Sequence, residues 1–78
     1  MPAEDKVRVE VAYLGGQSFT TLMSNDAADE LERRLASGDE SVLTIDAEDG
    51  RYAVVLGHVA YVKRFLRESR VGFGTPGP

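Results

Sequence analysis

The sequence lacks cysteine and tryptophan and contains a single histidine, His58. Without cysteine the chain has no thiol nucleophile, no disulfide and no zinc–thiolate site. An isolated histidine lacks the partners for a catalytic triad or a metal-binding set. We therefore expect no enzymatic activity, no cofactor and no metal, with His58 an exposed turn residue. A chain without disulfides is also compatible with a reducing compartment, and we expect a cytoplasmic protein.

Long apolar runs are missing as well. No stretch approaches the roughly 18 consecutive apolar residues that a membrane-spanning helix needs. The polar start, residues 1–6, has no apolar stretch of the kind found in a signal peptide. We therefore expect no membrane association.

The chain is short, with 78 residues of which 42% are hydrophobic. That composition allows one small domain with one core. Such a core supplies only a few kcal/mol of net stability, so self-association is expected to add to it. We predict a disordered N-terminus over residues 1–6, a single domain over residues 7–70, and a flexible tail rich in glycine and proline over residues 71–78.

Alternation of apolar and polar residues predicts a first β-hairpin. The first strand has apolar side chains at every second position: Val7, Val9, Val11 and Tyr13. Gly15 and Gly16 then favour a tight turn, because both can adopt positive φ. The return strand alternates in the same way at Phe19, Thr21 and Met23.

A helix is predicted to follow. We expect Asn25 to be its N-cap and Gly38 to end it in a left-handed conformation. Its apolar face is formed by Ala27, Leu31 and Leu35, with Ala28 beside them. Two i,i+4 ion pairs are expected on the opposite face, Asp29–Arg33 and Glu30–Arg34. About three turns are too short to be stable alone, so the helix requires a sheet to pack on.

Three more strands complete the pattern. Residues 42–45 are apolar and β-branched, and Asp49-Gly50 is a strong hairpin signal. Residues 52–56 are nearly all apolar, which predicts a central strand covered on both faces. Gly57-His58 is the next turn and residues 59–62 form the last strand. The pattern leaves open whether residues 63–70 extend that strand or form a helical turn.

The element order predicts an α+β fold. It reads strand-strand-helix-strand-strand-strand, with short turns that imply an antiparallel sheet and one helix packed on a face. A five-stranded, barrel-like closure is the alternative.

Several segments together resemble a known family. They are Val7-Arg8-Val9-Glu10-Val11, the acidic helix, Leu43-Thr44-Ile45-Asp46, Val59-Ala60-Tyr61-Val62 and the closing Arg70-Val71-Gly72-Phe73-Gly74. Over roughly residues 7–74 the chain is similar to the small actinobacterial proteins of domain-of-unknown-function family 3107. The resemblance implies a short single-domain protein and brings no catalytic residue with it. The chain departs from the family pattern at residues 63–67, which are more basic and more apolar.

Charge is spread unevenly along the chain. Residues 1–50 contain four Lys or Arg against twelve Asp or Glu, whereas residues 51–70 contain five against Glu68 alone. Such asymmetry is typical of a binding face or of self-association in which opposite poles meet. It is equally compatible with charges that only keep two surfaces soluble.

The basic C-terminal segment is the candidate site. Its basic residues are Lys63, Arg64, Arg67 and Arg70, and its candidate aromatic anchors are Tyr61, Phe65 and Phe73. Aromatic anchors beside positive charge are typical of protein interfaces, so we predict a self-associating interaction module with an unidentified protein partner. Nucleic-acid binding through residues 63–70 is the alternative, because bases stack on aromatic rings. A solvated strand end followed by a disordered tail needs no partner at all.

Three acidic residues around the second hairpin also lie close together: Asp46, Glu48 and Asp49. Their spacing lacks the twelve-residue calcium loop with its terminal Glu. We therefore expect a turn with solvated acids there. Gly15 and Gly16 do not form a phosphate-binding loop, because no Gly-Lys-Ser/Thr follows them.

Overall fold

A computed structural model describes residues 6–66. Its elements are β1 (Lys6–Tyr13), β2 (Ser18–Ser24), α1 (Asn25–Ala36), β3 (Val42–Ala47), β4 (Gly50–Val55), a 3₁₀ turn (Leu56–His58) and β5 (Val59–Arg64). The five strands form one antiparallel sheet with one helix, which confirms the predicted α+β class and element order. Lys6 already belongs to β1, and residues 63 and 64 extend the last strand. The predicted tail, residues 71–78, lies outside the described residues.

The strands lie in the order β4-β3-β2-β1-β5. β4 and β5 are therefore the two edges of the sheet, although only the turn Leu56–His58 separates them along the chain. This short connection brings the two edges together at one end, so the sheet is curved. The Leu14 N–H donates to the His58 carbonyl at 2.9 Å and ties the first hairpin to the same end.

The prediction of a central strand at residues 52–56 is wrong. β4 is an edge strand, and its side chains alternate between a buried Val54 and exposed Ala53 and Val55. An apolar run is typical of a strand covered on both faces, but the run by itself does not determine where the strand lies in the sheet. In this chain the curved sheet places every second residue of the run in contact with solvent.

Helix α1 covers one face of the sheet. The side chains of this face, two from the helix and one from the 3₁₀ turn form the buried core: Val9, Val11, Met23, Ala28, Leu31, Leu43, Ile45, Val54 and Leu56. Ala27 and Leu35 pack against the core from the helix, so its predicted apolar face is confirmed. Burying each large aliphatic side chain is worth about 1.5–3 kcal/mol, which makes this layer the main source of stability.

The helix begins one residue earlier than its sequence suggests. Ser24, not Asn25, is the N-cap, and its Oγ accepts a hydrogen bond from the Ala27 N–H at 3.1 Å. Ser24 ends β2 in an extended conformation, which is the backbone geometry of an N-cap. Asn25 is therefore the first helical residue.

The helix ends as predicted. Gly38 has φ +82°, in the left-handed region that favours glycine. The Gly38 N–H donates to the Leu35 carbonyl and the Asp39 N–H to the Arg34 carbonyl, both at 3.1 Å. These two bonds form a Schellman motif, which satisfies carbonyls that the helix end would otherwise leave without partners.

Only one of the two predicted i,i+4 ion pairs forms. Arg34 Nε lies 2.9 Å from Glu30 Oε2, as expected. The prediction of an Asp29–Arg33 pair is wrong. Arg33 binds Glu30 instead, and Asp29 binds Arg64 of β5 at 3.0 Å. A cation supplied by the sheet edge, which sequence spacing does not reveal, takes the place of the helical partner.

Both predicted hairpins exist, with shifted loops. The first loop has four residues, 14–17, and of its two glycines only Gly16 has positive φ, at +96°. In the second hairpin Ala47 pairs with Gly50, so the two-residue loop is Glu48–Asp49 and Gly50 starts β4.

Candidate protein-binding surface

The face of the sheet opposite α1 has no layer packed on it among residues 6–66. Its side chains on the three strands β5, β1 and β2 form rows across the sheet, because paired residues of antiparallel strands point to the same side. One row consists of Phe65, Arg8 and Leu22, and the next of Lys63, Glu10 and Thr20. Tyr61, Ala12 and Ser18 form the third row.

Phe65 lies between two cations in these rows. Its backbone N–H donates to the Arg8 carbonyl at 2.9 Å, which continues the β5–β1 pairing beyond Arg64. The Lys63 Nζ lies 4.6 Å from the centroid of the Phe65 ring, and the Arg8 guanidinium carbon lies 5.6 Å from it. Both distances are within cation–π range. We call Arg8, Leu22, Tyr61, Lys63 and Phe65 the basic–aromatic patch.

A groove of about 500 Å³ adjoins this patch. It lies where β1 begins and β5 ends, beside the start of α1, and is lined by Lys6, Val7, Arg8, Leu22, Asn25, Arg64, Phe65 and Leu66. Leu66 is 91% exposed and Leu22 is 36% exposed. The groove therefore combines apolar surface with cations, and none of its lining residues within 6–66 is a carboxylate.

Arg64 points to the other side of the sheet. Its guanidinium lies 3.0 Å from Asp29 Oδ1 and 3.3 Å from Glu32 Oε2. It also donates to the side-chain and main-chain oxygens of Asn25, at 3.1 and 3.3 Å. Arg64 thus fastens the N-terminal half of α1 to the edge strand β5.

The predicted site residues divide into three groups. Tyr61, Lys63 and Phe65 occupy alternate positions of the last strand and its extension, so they share the uncovered face. Arg64 lies between Lys63 and Phe65 in the chain, so its side chain points to the opposite face of the sheet, toward the helix. The remaining residues, Arg67, Arg70 and Phe73, lie outside the described residues.

Sequence reasoning missed the contribution of the first hairpin. Arg8 and Leu22 are more than 40 residues before Phe65 in the chain and meet it only through strand pairing. The signal for Arg8 was its position between Val7 and Val9, which marks it as a residue of the uncovered face. No local pattern indicates that β5 pairs with β1.

A second groove, of about 390 Å³, runs along the β5 edge. Its walls are the C-terminal half of α1 and the edge strand, and its lining residues are Glu32, Leu35, Ala36, Val59, Ala60, Tyr61 and Val62. Most of these side chains are apolar, and Leu35 and Val62 are partly exposed.

Two of the three acidic residues of the second hairpin, Asp46 and Asp49, have side-chain partners. Asp46 accepts from Arg51 Nε at 2.8 Å. Asp49 accepts from the Thr21 hydroxyl and, at 2.7 Å, from the Tyr52 hydroxyl. The hydrogen bonds from Thr21 and then Tyr52 lower the pKa of Asp49, and the bond to Asp49 raises the pKa of Tyr52.

The hydrogen bond from Thr21 to Asp49 also joins the hairpin to β2. β3 and β2 share one backbone pair, Met23 with Ala47, and the Phe19 and Tyr52 rings stack at 4.3 Å between centroids. Asp49 and the Phe19–Tyr52 stack thus hold the β3–β4 hairpin against β2. Within residues 6–66 no three acidic or histidine side chains are grouped as a metal ion would need.

Comparisons with known proteins found no relative of this chain. No protein-family model, curated protein or solved structure matches the chain. The resemblance to family 3107 therefore stays a prediction. Of the part of the chain that the structure describes, no helix is long and apolar enough to cross a membrane.

Proposed function

We propose that this chain is a small, non-enzymatic protein-interaction module of the cytoplasm, which self-associates and binds an acidic protein surface through its basic–aromatic patch. One observation carries the proposal. Phe65 lies with Arg8 and Lys63 on a sheet face that nothing covers among residues 6–66, beside the exposed Leu22 and Leu66.

The charge of the patch is not neutralised by its neighbours. Lys6, Arg8 and Lys63 form no ion pair with a carboxylate within residues 6–66, whereas Arg34, Arg51 and Arg64 all do. Glu10 lies opposite Lys63 across the strand pair, yet Lys63 Nζ is positioned over the Phe65 ring. Cations that lack an ion-pair partner among residues 6–66, on a protein with a net charge of −4, are suited to an anionic partner, and they would steer it to this face.

The apolar content of the patch favours a protein partner over nucleic acid. Interface anchors are typically aromatic or arginine side chains within an apolar area, and Phe65, Arg8 and Leu22 form such a combination. Base stacking needs a free aromatic face. Two cations lie against the Phe65 ring, which leaves less of it for a base. The net negative charge of the chain also opposes binding to phosphates.

The test compares two labelled probes by fluorescence anisotropy at two salt concentrations. One probe is an extended peptide of about 12 residues in which Glu alternates with Leu or Phe. The other is an oligothymidine of about 20 nucleotides. We expect the peptide to bind, and the variant Arg8→Glu/Lys63→Glu to weaken this binding at least about tenfold through lost charge complementarity.

Phe65→Ala should weaken peptide binding mainly by faster dissociation, because apolar anchors determine the off-rate. Arg51→Glu is the matched control, since Arg51 lies on the same sheet face but in β4, paired with Asp46. Arg64 is left unchanged because it holds the helix. Equal binding by wild type and the double variant would refute the proposal. Preferred binding of oligothymidine, with a log–log salt slope of about −0.7 per phosphate, would establish the nucleic-acid alternative.

A further inference from the structure

In the described part of the chain β5 has one open edge, at which the self-association proposed above would take place. β5 pairs with β1 on one side only, and no strand within residues 6–66 pairs with its other side. Unpaired edge strands are templates for pairing with another chain unless proline, a bulge or charge blocks them. β5 has no proline, and its bulge is confined to its beginning, where the register shifts opposite Ala12 and Tyr13. Residues 61–64 therefore present a regular edge. Of its two charges, Arg64 is paired with Asp29 and Glu32, so Lys63 is the charge that an added strand must accommodate.

The groove beside this edge would receive the side chains of an added strand. An added strand would direct every second side chain toward α1, into the groove lined by Leu35, Ala36 and Val62. Its other side chains would lie beside Tyr61 and Lys63 on the uncovered face. Tyr61 is 53% exposed, so pairing here buries apolar surface on both sides of the strand.

We propose that the added strand is β5 of a second copy, paired antiparallel about a two-fold axis at Val62. Residues directly opposite each other share a face, so this register places Tyr61 against Lys63 of the partner subunit, twice by symmetry. An ammonium group beside a tyrosine ring is a favourable pair. Arg64 lies opposite Ala60 of the partner subunit, and no two like charges face each other.

The two neighbouring registers of the β5–β5 pair would be less stable than the one centred on Val62. An axis at Lys63 would place two lysines directly opposite each other, which is destabilising. An axis at Tyr61 would place Lys63 opposite Val59 of the partner subunit. Val59 pairs with Tyr13 on the helix side because of the bulge, so those two side chains would lie on different faces. The charges of β5, and the face to which each of its side chains points, thus favour a two-fold axis at Val62.

The dimer would also bring the two basic–aromatic patches together. Each patch includes Lys63 and Tyr61 of β5, so pairing the two strands joins them into one continuous surface. A partner with two acidic segments would then bind both, and the second contact would be intramolecular.

The test is sedimentation equilibrium of the full chain at up to about 100 µM, a range that covers dissociation constants near the micromolar level. Wild type should dimerise. Tyr61→Lys should raise the dissociation constant at least about tenfold, because it loses two cation–π pairs and creates two lysine–lysine contacts. Combining Tyr61→Lys with Lys63→Glu should restore dimerisation, since the two positions then carry opposite charges. Val55→Lys is the control, because Val55 is 37% exposed on the uncovered face of β4, the other edge strand.

Urea midpoints verify that each variant is folded. A wild-type monomer over this range overturns both the proposed self-association and the β5 dimer. A dimer that Tyr61→Lys leaves intact and Val55→Lys dissociates preserves self-association and overturns the β5 edge as its site. Failure of the double variant to regain dimerisation, with Tyr61→Lys impaired, overturns the register at Val62.

Discussion

The two faces of the sheet are built from the same strands and differ in almost every property. In β1 and β2 the residues that face α1 include Val9, Val11 and Met23, none of which is exposed to solvent. Their immediate neighbours in the chain, such as Arg8 and Leu22, lie on the uncovered face. The comparison shows how alternation along a strand separates stability from binding, since each face can change without directly altering the other.

The largest difference should appear when the same residue type is shortened on each side. Leu31→Ala removes a side chain with 0% exposure and should cost about 2–5 kcal/mol, as for other buried leucines. Leu22→Ala is the matched control on the uncovered face and should cost less than about 1 kcal/mol. Urea midpoints at constant m-value measure both. Equal losses would mean that a second layer covers Leu22.

Ser24 lies at the junction between the sheet and the helix that covers it. Ser24→Ala removes the acceptor for the Ala27 N–H and should destabilise the protein by about 1 kcal/mol. Asn25→Ala is the control, because Asn25 is not the N-cap. A larger loss for Asn25→Ala in urea unfolding would contradict the assigned helix start.

The uncovered face should contribute little to folding even where its contacts are closest. A double-mutant cycle with Phe65→Ala and Lys63→Met should yield a coupling of about 0.5 kcal/mol, typical of an exposed cation–π pair. The same two substitutions should strongly impair binding of the acidic peptide. A coupling as large as the destabilisation caused by Leu31→Ala would indicate that Phe65 belongs to the core. The two faces would then contribute equally to folding.

The smallest change should be a pH dependence at the far end of the helix. Hydrogen bonds from the Ser41 hydroxyl and N–H, and then from Arg34, lower the pKa of Asp39 from its ordinary 3.8 to about 2. A lowered pKa stabilises the folded state above pH 3.8, and this contribution is lost as pH falls toward about 2. Asp39→Asn should therefore lower the urea midpoint at neutral pH and have little effect near pH 2. A pH-independent effect would show that the charge of Asp39 is not its cause.

Several local features of this fold were predictable from nearby residues. Gly38 ends the helix as expected, because a left-handed residue is needed there and glycine adopts it at least cost. The helix phase through Leu31 and Leu35 was also predictable, since the 3.6-residue period places both on one face. The N-cap was predicted one residue too late, because Ser24 and Asn25 are both good caps. Only the position at which β2 ends determines which of the two is the N-cap.

The candidate site was predictable only in part. Tyr61, Lys63 and Phe65 were recognised from their composition, but Arg64 between them could not be separated from the group. The face to which Arg64 points, and its contacts with Asp29 and Glu32, depend on where the helix lies over β5. Arg8 and Leu22 were missed because strand pairing, not sequence proximity, brings them to Phe65.

The sequence by itself determined the order of elements, the helix phase and its glycine end, because each depends on side chains only a few positions apart. Tertiary structure decided the strand order, which put the apolar β4 at an edge and paired β5 with β1. It also decided which cations of the uncovered face lack an ion-pair partner within the described residues. The physical reason is that strand order follows from how a curved sheet closes around the side chains beneath one helix. That choice depends on contacts between residues distant in the chain, which no local pattern contains.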